Sequence, residues 1–275
     1  MGSAMFRLSD SGELLPQSAA ASGWGAQHMR GMAISGAAAR ATEIAVAELG
    51  REDLRPVRWT IDLFRVATMT TTTATAVVVR AGRRLCLVDA QVSQADRMVA
   101  RASTLYLTAS APPVGQVWTP DTTFTPPPEN LRHTPGLERL YRSDGGDWTP
   151  PGLARTDALR KDVWQYPIDI VEGESPTAFQ MAASVADVAN ATTNFGSDGL
   201  EFVNADVTLT LARLPRDLEL GMRALTRTEQ DGIAVAGAEV FDRYGRIGAA
   251  SVSTMTNGTT VVDLREHGHA AAVTL

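Results

Sequence analysis

A segment of the chain recurs with similar residues 148 positions later, and this internal repeat restricts the fold more than any other feature. Residues 59–66 (WTIDLFRV) align with residues 207–214 (VTLTLARL), and residues 98–102 align with residues 246–250 at the same offset. Both of the later segments follow an Asp-Arg pair. Because the matches keep their order and their spacing, the sequence predicts two copies of one structural unit.

The sequence of each copy predicts one helix followed by several strands. The helical segments are residues 28–49 and 176–190, and Ser175 with Pro176 predicts an N-cap followed by proline at the first helical position. Alternation of apolar and polar residues predicts strands that pack on one face. These strands are 59–66, 77–80, 85–92 and 99–107 in the first copy, and 203–211, 220–227, 233–241 and 246–255 in the second. A helix followed by an antiparallel meander predicts an α+β fold with the helix buried against the sheet.

Proline is concentrated between the two copies. Eleven of the 14 prolines lie between residues 112 and 176. Because proline lacks a backbone donor and fixes φ, this segment predicts an extended surface connection and not a regular core element, with one short helix near residues 151–161. We therefore expect an N-terminal domain at 1–110, a Pro-rich linker at 111–164 and a C-terminal domain at 165–275.

Composition limits the classes of partner. Hydrophobic residues make up 44% of the chain, charged residues 20%, and the net charge is -6, which is typical of a globular protein and favours neither nucleic acid nor an anionic membrane as partner. All basic residues except Lys161 are arginine, so an anionic ligand would meet arginines or backbone amides. No run of apolar residues is long enough for a membrane span and the N-terminus has no signal-peptide pattern, so we expect a cytoplasmic protein.

The residues that could carry chemistry are few. Cys86 is the single cysteine and lies in an apolar run, which predicts a buried thiol and excludes an intrachain disulfide or a cysteine metal cluster. The predicted sheets contain no histidine, and no GxSxG turn is present, so a Ser-His-Asp triad and a metal site are not expected. His28 precedes the first helix, where it either lines the mouth of a pocket or is a capping or surface residue.

Asp187 is the single carboxylate in the apolar run 181–190 of the second helix. Burying an aspartate without partners costs several kcal/mol, so its position needs an explanation. In one interpretation Asp187 hydrogen-bonds a neighbouring strand or faces solvent at the helix edge. In the other it is a base with a raised pKa that activates water.

The strand after this helix has a polar face formed by Asn204, Asp206, Thr208 and Thr210. Such a face is usually solvated. Because Asn204 is near the start of the strand, it could instead point at the helix and share a site with Asp187.

Several segments together resemble a known family. They are WGAQHMRG at 24–31, AD at 186–187, FVNAD at 202–206, LTLAR at 209–213 and FDRYGRIG at 241–248. In order and spacing they resemble the acyl-CoA thioesterase II (TesB-like) family, over roughly residues 20–110 and 165–257.

The resemblance implies a double hot-dog, in which two antiparallel sheets each wrap around one central helix. It also implies hydrolysis of an acyl-CoA, or another acyl-pantetheine thioester, to free acid and thiol without a metal or cofactor. In the family's site an aspartate on the helix, a small polar residue on the next strand and a glutamine on the last strand act together. Asp187, Asn204 and Ser253 are the matching positions, so Ser253 stands in place of the glutamine.

The resemblance further places His28, Gly31 and Thr254 among the substrate-binding residues. By analogy with other hot-dog proteins it implies a homodimer, and its substrate implies a role in lipid metabolism.

Two other functions remain open. A non-catalytic acyl-thioester-binding hot-dog protein is favoured by the missing glutamine, because serine is shorter and stabilises an oxyanion less well. Hydratase or dehydratase chemistry in related hot-dog folds relies on a histidine five residues after the aspartate. Here that residue is Thr192, which disfavours this function.

Overall fold

The protein is described from a computed structural model that covers residues 4–120, 123–132, 136–154, 156–258 and 261–262. His133, His267 and His269 lie outside the described residues. In the described part of the chain, no helix has the length and apolar character that a membrane crossing requires.

The elements of the first half are strands β1–β8 and helix α1. In chain order they are β1 Ala4–Leu8, β2 Leu14–Pro16, β3 Ala21–Ser22, β4 Gly25–Met29, α1 Gly31–Ala47, β5 Leu54–Leu63, β6 Thr73–Ala81, β7 Leu85–Gln94 and β8 Arg97–Thr108. The predicted helix 28–49 therefore begins later than expected, because His28 belongs to β4.

The remaining elements are β9–β18, α2 and α3. They are β9 Arg139–Ser143, β10 Lys161–Gln165, β11 Asp169–Val171, α2 Ala178–Ala186, α3 Val188–Asn194, β12 Phe195–Gly196, β13 Gly199–Leu200, β14 Phe202–Asn204, β15 Asp206–Leu211, β16 Leu220–Gln230, β17 Ile233–Asp242 and β18 Gly245–Thr256. Short 3₁₀ turns occupy Ser18–Ala20, Glu129–Leu131 and Pro151–Leu153.

One antiparallel sheet of 11 strands spans both halves, in the order β6-β7-β8-β5-β15-β18-β17-β16-β10-β9, with β14 also paired to β18. The halves meet where β5 pairs with β15, and these are the two strands that the internal repeat aligns. Thr60 lies opposite Thr208, its own repeat equivalent, while Trp59 pairs with Leu209 and Ile61 with Val207. The two copies are therefore related by a local two-fold axis through the Thr60–Thr208 pair.

The helices are buried against this sheet and against each other. Ser35 of α1 donates to the carbonyl of Ala183 (2.6 Å), and Ser184 of α2 donates to the carbonyl of Met32 (2.9 Å). Gly36 of α1 lies against β11, where a Cβ would come within 2.5 Å of the Ile170 side chain. The predicted N-cap of the second helix was wrong by two residues: Thr177 is the cap, and its hydroxyl accepts the N–H of Gln180 at 3.0 Å.

The proline-rich segment contributes two strands to the sheet, which corrects its interpretation as a surface connection alone. β10 is buried throughout and pairs with both β9 and β16. Prolines flank these strands but do not enter them, so every residue of β10 keeps its N–H for the ladder. The short helix expected near 151–161 is reduced to a single 3₁₀ turn.

Candidate active site

Asp187 lies at the junction of α2 and α3, where its backbone keeps helical dihedral angles (φ -60°, ψ -24°). Asp187 as a residue is half-buried, and its carboxyl group is surrounded by protein. It is therefore not turned out into bulk solvent. This placement agrees with the requirement that a general base be both shielded and reachable by water.

Asn204 contacts Asp187 directly, and its side-chain Nδ2 donates to Asp187 Oδ1 at 3.0 Å. The sequence left open whether Asn204 shares a site with Asp187, and it placed Asn204 on the same strand face as Asp206 and Thr208. The structure corrects this face assignment. Asn204 pairs with Thr254, whereas Thr208 pairs with Ser251, so the register between the strands shifts by one residue.

A β-bulge between Asn204 and Thr208 causes this shift. The backbone of Ala205 donates to the carbonyl of Ser253 (2.9 Å), and the backbone N–H of Ser253 donates to the carboxylate of Asp206 (2.6 Å). Two residues of one strand thus oppose a single residue of β18, which is the definition of a bulge. The bulge turns the side chain of Asn204 towards the helices and leaves Asp206 on the outer face.

Ser253 is not brought to Asp187. Side chains alternate along β18, where Val252 and Thr254 are buried, so the side chain of Ser253 faces the outer side of the sheet. The residue on the inner face opposite Asn204 is Thr254, whose hydroxyl donates to the carbonyl of Ala234 at 3.1 Å.

The first half supplies the other wall of the site. Gly31 begins α1, and a Cβ at this position would lie 2.2 Å from Asp187 Oδ1. The backbone N–H of Met32 lies near enough to Asp187 to favour its ionised form. Because the first N–H groups of a helix have no partner within it, the start of α1 presents donors and a partial positive charge to the carboxylate. His28 lies in β4, is partly buried and forms an isolated antiparallel β-bridge with Thr68.

Burial raises the pKa of Asp187 above its ordinary value. The Asn204 amide, the charge of Arg139, the Met32 N–H and the charge of Arg30 oppose that rise by stabilising the ionised form. Arg139 lies on β9, and its guanidinium donates to Gln165 (2.7 Å) and to the hydroxyl of Tyr141 (3.0 Å). Arg139 does not stand out in the sequence, because it lies in the proline-rich segment that predicts a linker.

A separate cavity of about 230 Å³ lies beside β9 and β10 and does not include Asp187. Lys161 lines it, but its ammonium group donates to the carboxylate and carbonyl of Asp157 and to the carbonyl of Leu159. Lys161 therefore has no donor left for a ligand. Within the residues that the structure describes, no three His, Cys, Asp or Glu side chains converge as metal ligands.

One continuous sheet wraps around the helices of both halves, and this architecture defines the class as a double hot-dog protein. Asp187 and Asn204 lie in contact at the junction of α2 and α3. Comparison with known proteins agrees. The sequence profile of the acyl-CoA thioesterase C-terminal domain matches residues 109–255, and the chain belongs to this family of thioester hydrolases. No curated protein sequence matches significantly.

Three solved structures show the similarity of fold. The tesB protein of Mycobacterium avium subsp. paratuberculosis has a TM-score of 0.62 and 17% identity over 89% of this chain and 92% of its own. The acyl-CoA thioesterase II TesB2 of Mycobacterium marinum has a TM-score of 0.59 and 17% identity, over 82% of this chain and 89% of its own. A hot-dog protein of unknown function from Alicyclobacillus acidocaldarius has a TM-score of 0.62 and 15% identity, over 89% and 91%. The predicted double hot-dog and the predicted family are confirmed.

Proposed function

We propose that the protein hydrolyses an acyl thioester of coenzyme A, or of another pantetheine carrier, with Asp187 as the general base. The observation that carries the proposal is the Asn204–Asp187 hydrogen bond of 3.0 Å at the N-terminus of α1. It places a base and a donor that orients it beside the N-terminus of α1, where the helix carries a partial positive charge.

In this mechanism Asp187 accepts a proton from water while the water oxygen attacks the thioester carbonyl. The oxyanion that forms is stabilised by amide donors at the start of α1. Collapse of this intermediate breaks the C–S bond, and the proton held by Asp187 passes to the leaving thiolate. The products are the free acid and the thiol. Asn204 holds Asp187 ionised and in position, and neither Ser253 nor a glutamine is required.

We propose His28, Gly31 and Thr254 as the residues that border the bound thioester. Gly31 supports this best, because its lack of a side chain lets the Asp187 carboxylate lie directly against the start of α1. His28 lies three residues earlier and is partly accessible, and Thr254 faces the same side of the sheet as Asn204. We also propose a cytoplasmic homodimer that acts in lipid metabolism, since acyl thioesters are its substrate class. Light scattering of the purified protein tests the dimer.

The experiment that tests the activity is thiol release from acyl-CoA substrates of short, medium and long chain, together with calorimetric binding of the same compounds. Wild-type protein should release thiol. Asp187→Asn and Asp187→Ala should lower kcat by at least about 100-fold while both variants still fold and melt cooperatively. Binding without release by the wild-type protein would establish the non-catalytic alternative. Unchanged turnover by Asp187→Ala would refute the assignment of the base.

A further inference from the structure

A buried row of side-chain amides connects Asn204 to the protein surface. Asn190 of α3 donates to the carbonyl of Phe202 (2.9 Å) and, at a longer 3.4 Å, to Oδ1 of Asn204. Asn194 donates to Oδ1 of Asn190 (3.0 Å), and Nε of Arg227 donates to Oδ1 of Asn194 (2.9 Å). Asn190 and Asn194 are 4% and 7% exposed, so water cannot replace these partners.

The direction of every hydrogen bond in this row is fixed by its two ends. A guanidinium can only donate and a carboxylate can only accept, whereas an amide has one donor group and one acceptor. Because Arg227 donates at the surface end, each amide in the row must point its oxygen towards Arg227 and its NH₂ towards Asp187. The last NH₂, that of Asn204, then faces Asp187. A reversed Asn204 would set its oxygen against the carboxylate and its NH₂ against that of Asn190.

We propose that Asn190 is a positioning residue that fixes the orientation of the Asn204 amide and so presents its NH₂ to Asp187. The inference rests on the proposed function of Asp187. Asn190 is held from two sides, by the Phe202 carbonyl that accepts its NH₂ and by the Asn194 amide that donates to its oxygen. Asn190 does not touch substrate and acts only through Asn204.

This positioning controls the charge of Asp187. When Asn190 is absent, the Asn204 amide samples both orientations, and the hydrogen bond that lowers the pKa of Asp187 is lost in part of the molecules. The other charged groups that face Asp187 are Arg139 of β9 and Arg30 before α1, and Arg30 is paired with Glu138 at 3.0 Å. Neither is changed by removing Asn190. The acidic limb of the pH–rate profile should therefore move to higher pH.

The test compares Asn190→Ala with Thr192→Val on the same helix. Thr192 is equally buried, but its hydroxyl donates only to the carbonyl of Val188 (2.9 Å) and lies outside the row. Asn190→Ala should lower kcat about tenfold, leave KM within about twofold and shift the acidic limb upwards, while Thr192→Val changes neither kcat nor the limb. Identical kcat and identical pH profiles for the two variants would overturn the inference.

A second pair decides the question if Asn190→Ala does not fold. Arg227 stacks 4.9 Å above the ring of Phe202, and Arg216 stacks 4.9 Å above the ring of Tyr244. Both arginines are exposed, but only Arg227 donates into the row. Arg227→Met should move the acidic limb upwards and Arg216→Met should not; equal profiles would refute the inference. Asp187→Asn in the same assay separates the two claims, because turnover without the carboxylate would refute the proposed base itself.

Discussion

The carboxylate of Asp187, in the second repeat, lies against the Cα of Gly31, the first residue of the helix in the other repeat. This contact makes the site a joint product of the two copies. At the repeat offset of 148, the counterpart of Asp187 in the first copy is Ala39, whose side chain has no carboxylate. The local two-fold of the sheet therefore produces one acid site of this kind and not two.

Gly31→Ala should impair both activity and folding stability. The added Cβ would lie 2.2 Å from Asp187 Oδ1, so either the carboxylate or the start of α1 must move. We expect a loss of about 1–3 kcal/mol in the free energy of unfolding and a fall in kcat of about 100-fold. Chemical denaturation and thiol release measure the two effects. Gly196→Ala is the matched control, because the nearest atom to its Cβ is 4.0 Å away; equal effects of the two variants would contradict the contact.

Asp187→Asn should stabilise the protein at neutral pH while it abolishes turnover. The folded-state pKa of Asp187 is raised above its ordinary value of 3.8 by burial. The folded state therefore holds the proton more tightly, and ionisation of Asp187 costs stability as the pH rises from the ordinary aspartate range through the folded pKa. Asparagine removes that cost. Thermal melts against pH should show the variant's advantage growing with pH, and vanishing below the ordinary range.

Asn204→Thr should retain more activity than Asn204→Val. A threonine hydroxyl can still donate to Asp187, whereas valine leaves the carboxylate without the donor that Asn204 Nδ2 provides at 3.0 Å. We expect kcat/KM to fall about tenfold for threonine and about 100-fold for valine. Steady-state kinetics at one pH, with melting temperatures for both variants, provide the measurement. Equal losses would show that the donor itself is unimportant.

Ser253→Ala should change kcat less than about twofold. The side chain of Ser253 faces the outer side of the sheet, and the group that it contributes near the site is its backbone N–H. A large loss of thiol release would instead support the role that the position of the family's glutamine implies.

Asp206→Ala should be more harmful than Asp206→Asn. Alanine leaves the N–H of Ser253 without its acceptor, which costs about 1–3 kcal/mol and loosens the bulge that directs Asn204 inwards. Asparagine keeps a carbonyl oxygen at the same place. We therefore expect kcat to fall about tenfold for alanine and to stay within about threefold of wild type for asparagine. Denaturation curves measured beside the kinetics show whether stability and activity fall together.

The amino-acid pattern alone was sufficient to predict the architecture and to single out Asp187 as the carboxylate of the proposed site. The repeat and the two apolar helices predicted the paired units, because burying one helix face against one strand face requires only short-range periodicity. A lone carboxylate in an apolar run also stands out without coordinates, since its burial has to be compensated. For the same reason the family resemblance could be stated from the order of short segments.

Tertiary structure decided which partners surround that acid. Gly31, Arg139 and the start of α1 reach Asp187 from segments far away along the chain, and no local pattern records such distances. The inward orientation of Asn204 depends on one extra residue in a strand, which reverses the face of every side chain before it. Strict alternation of side chains along the strand therefore placed Asn204 on the same face as Asp206. It could not reveal that the Asp206 carboxylate accepts the N–H of Ser253 and so holds the bulge in place.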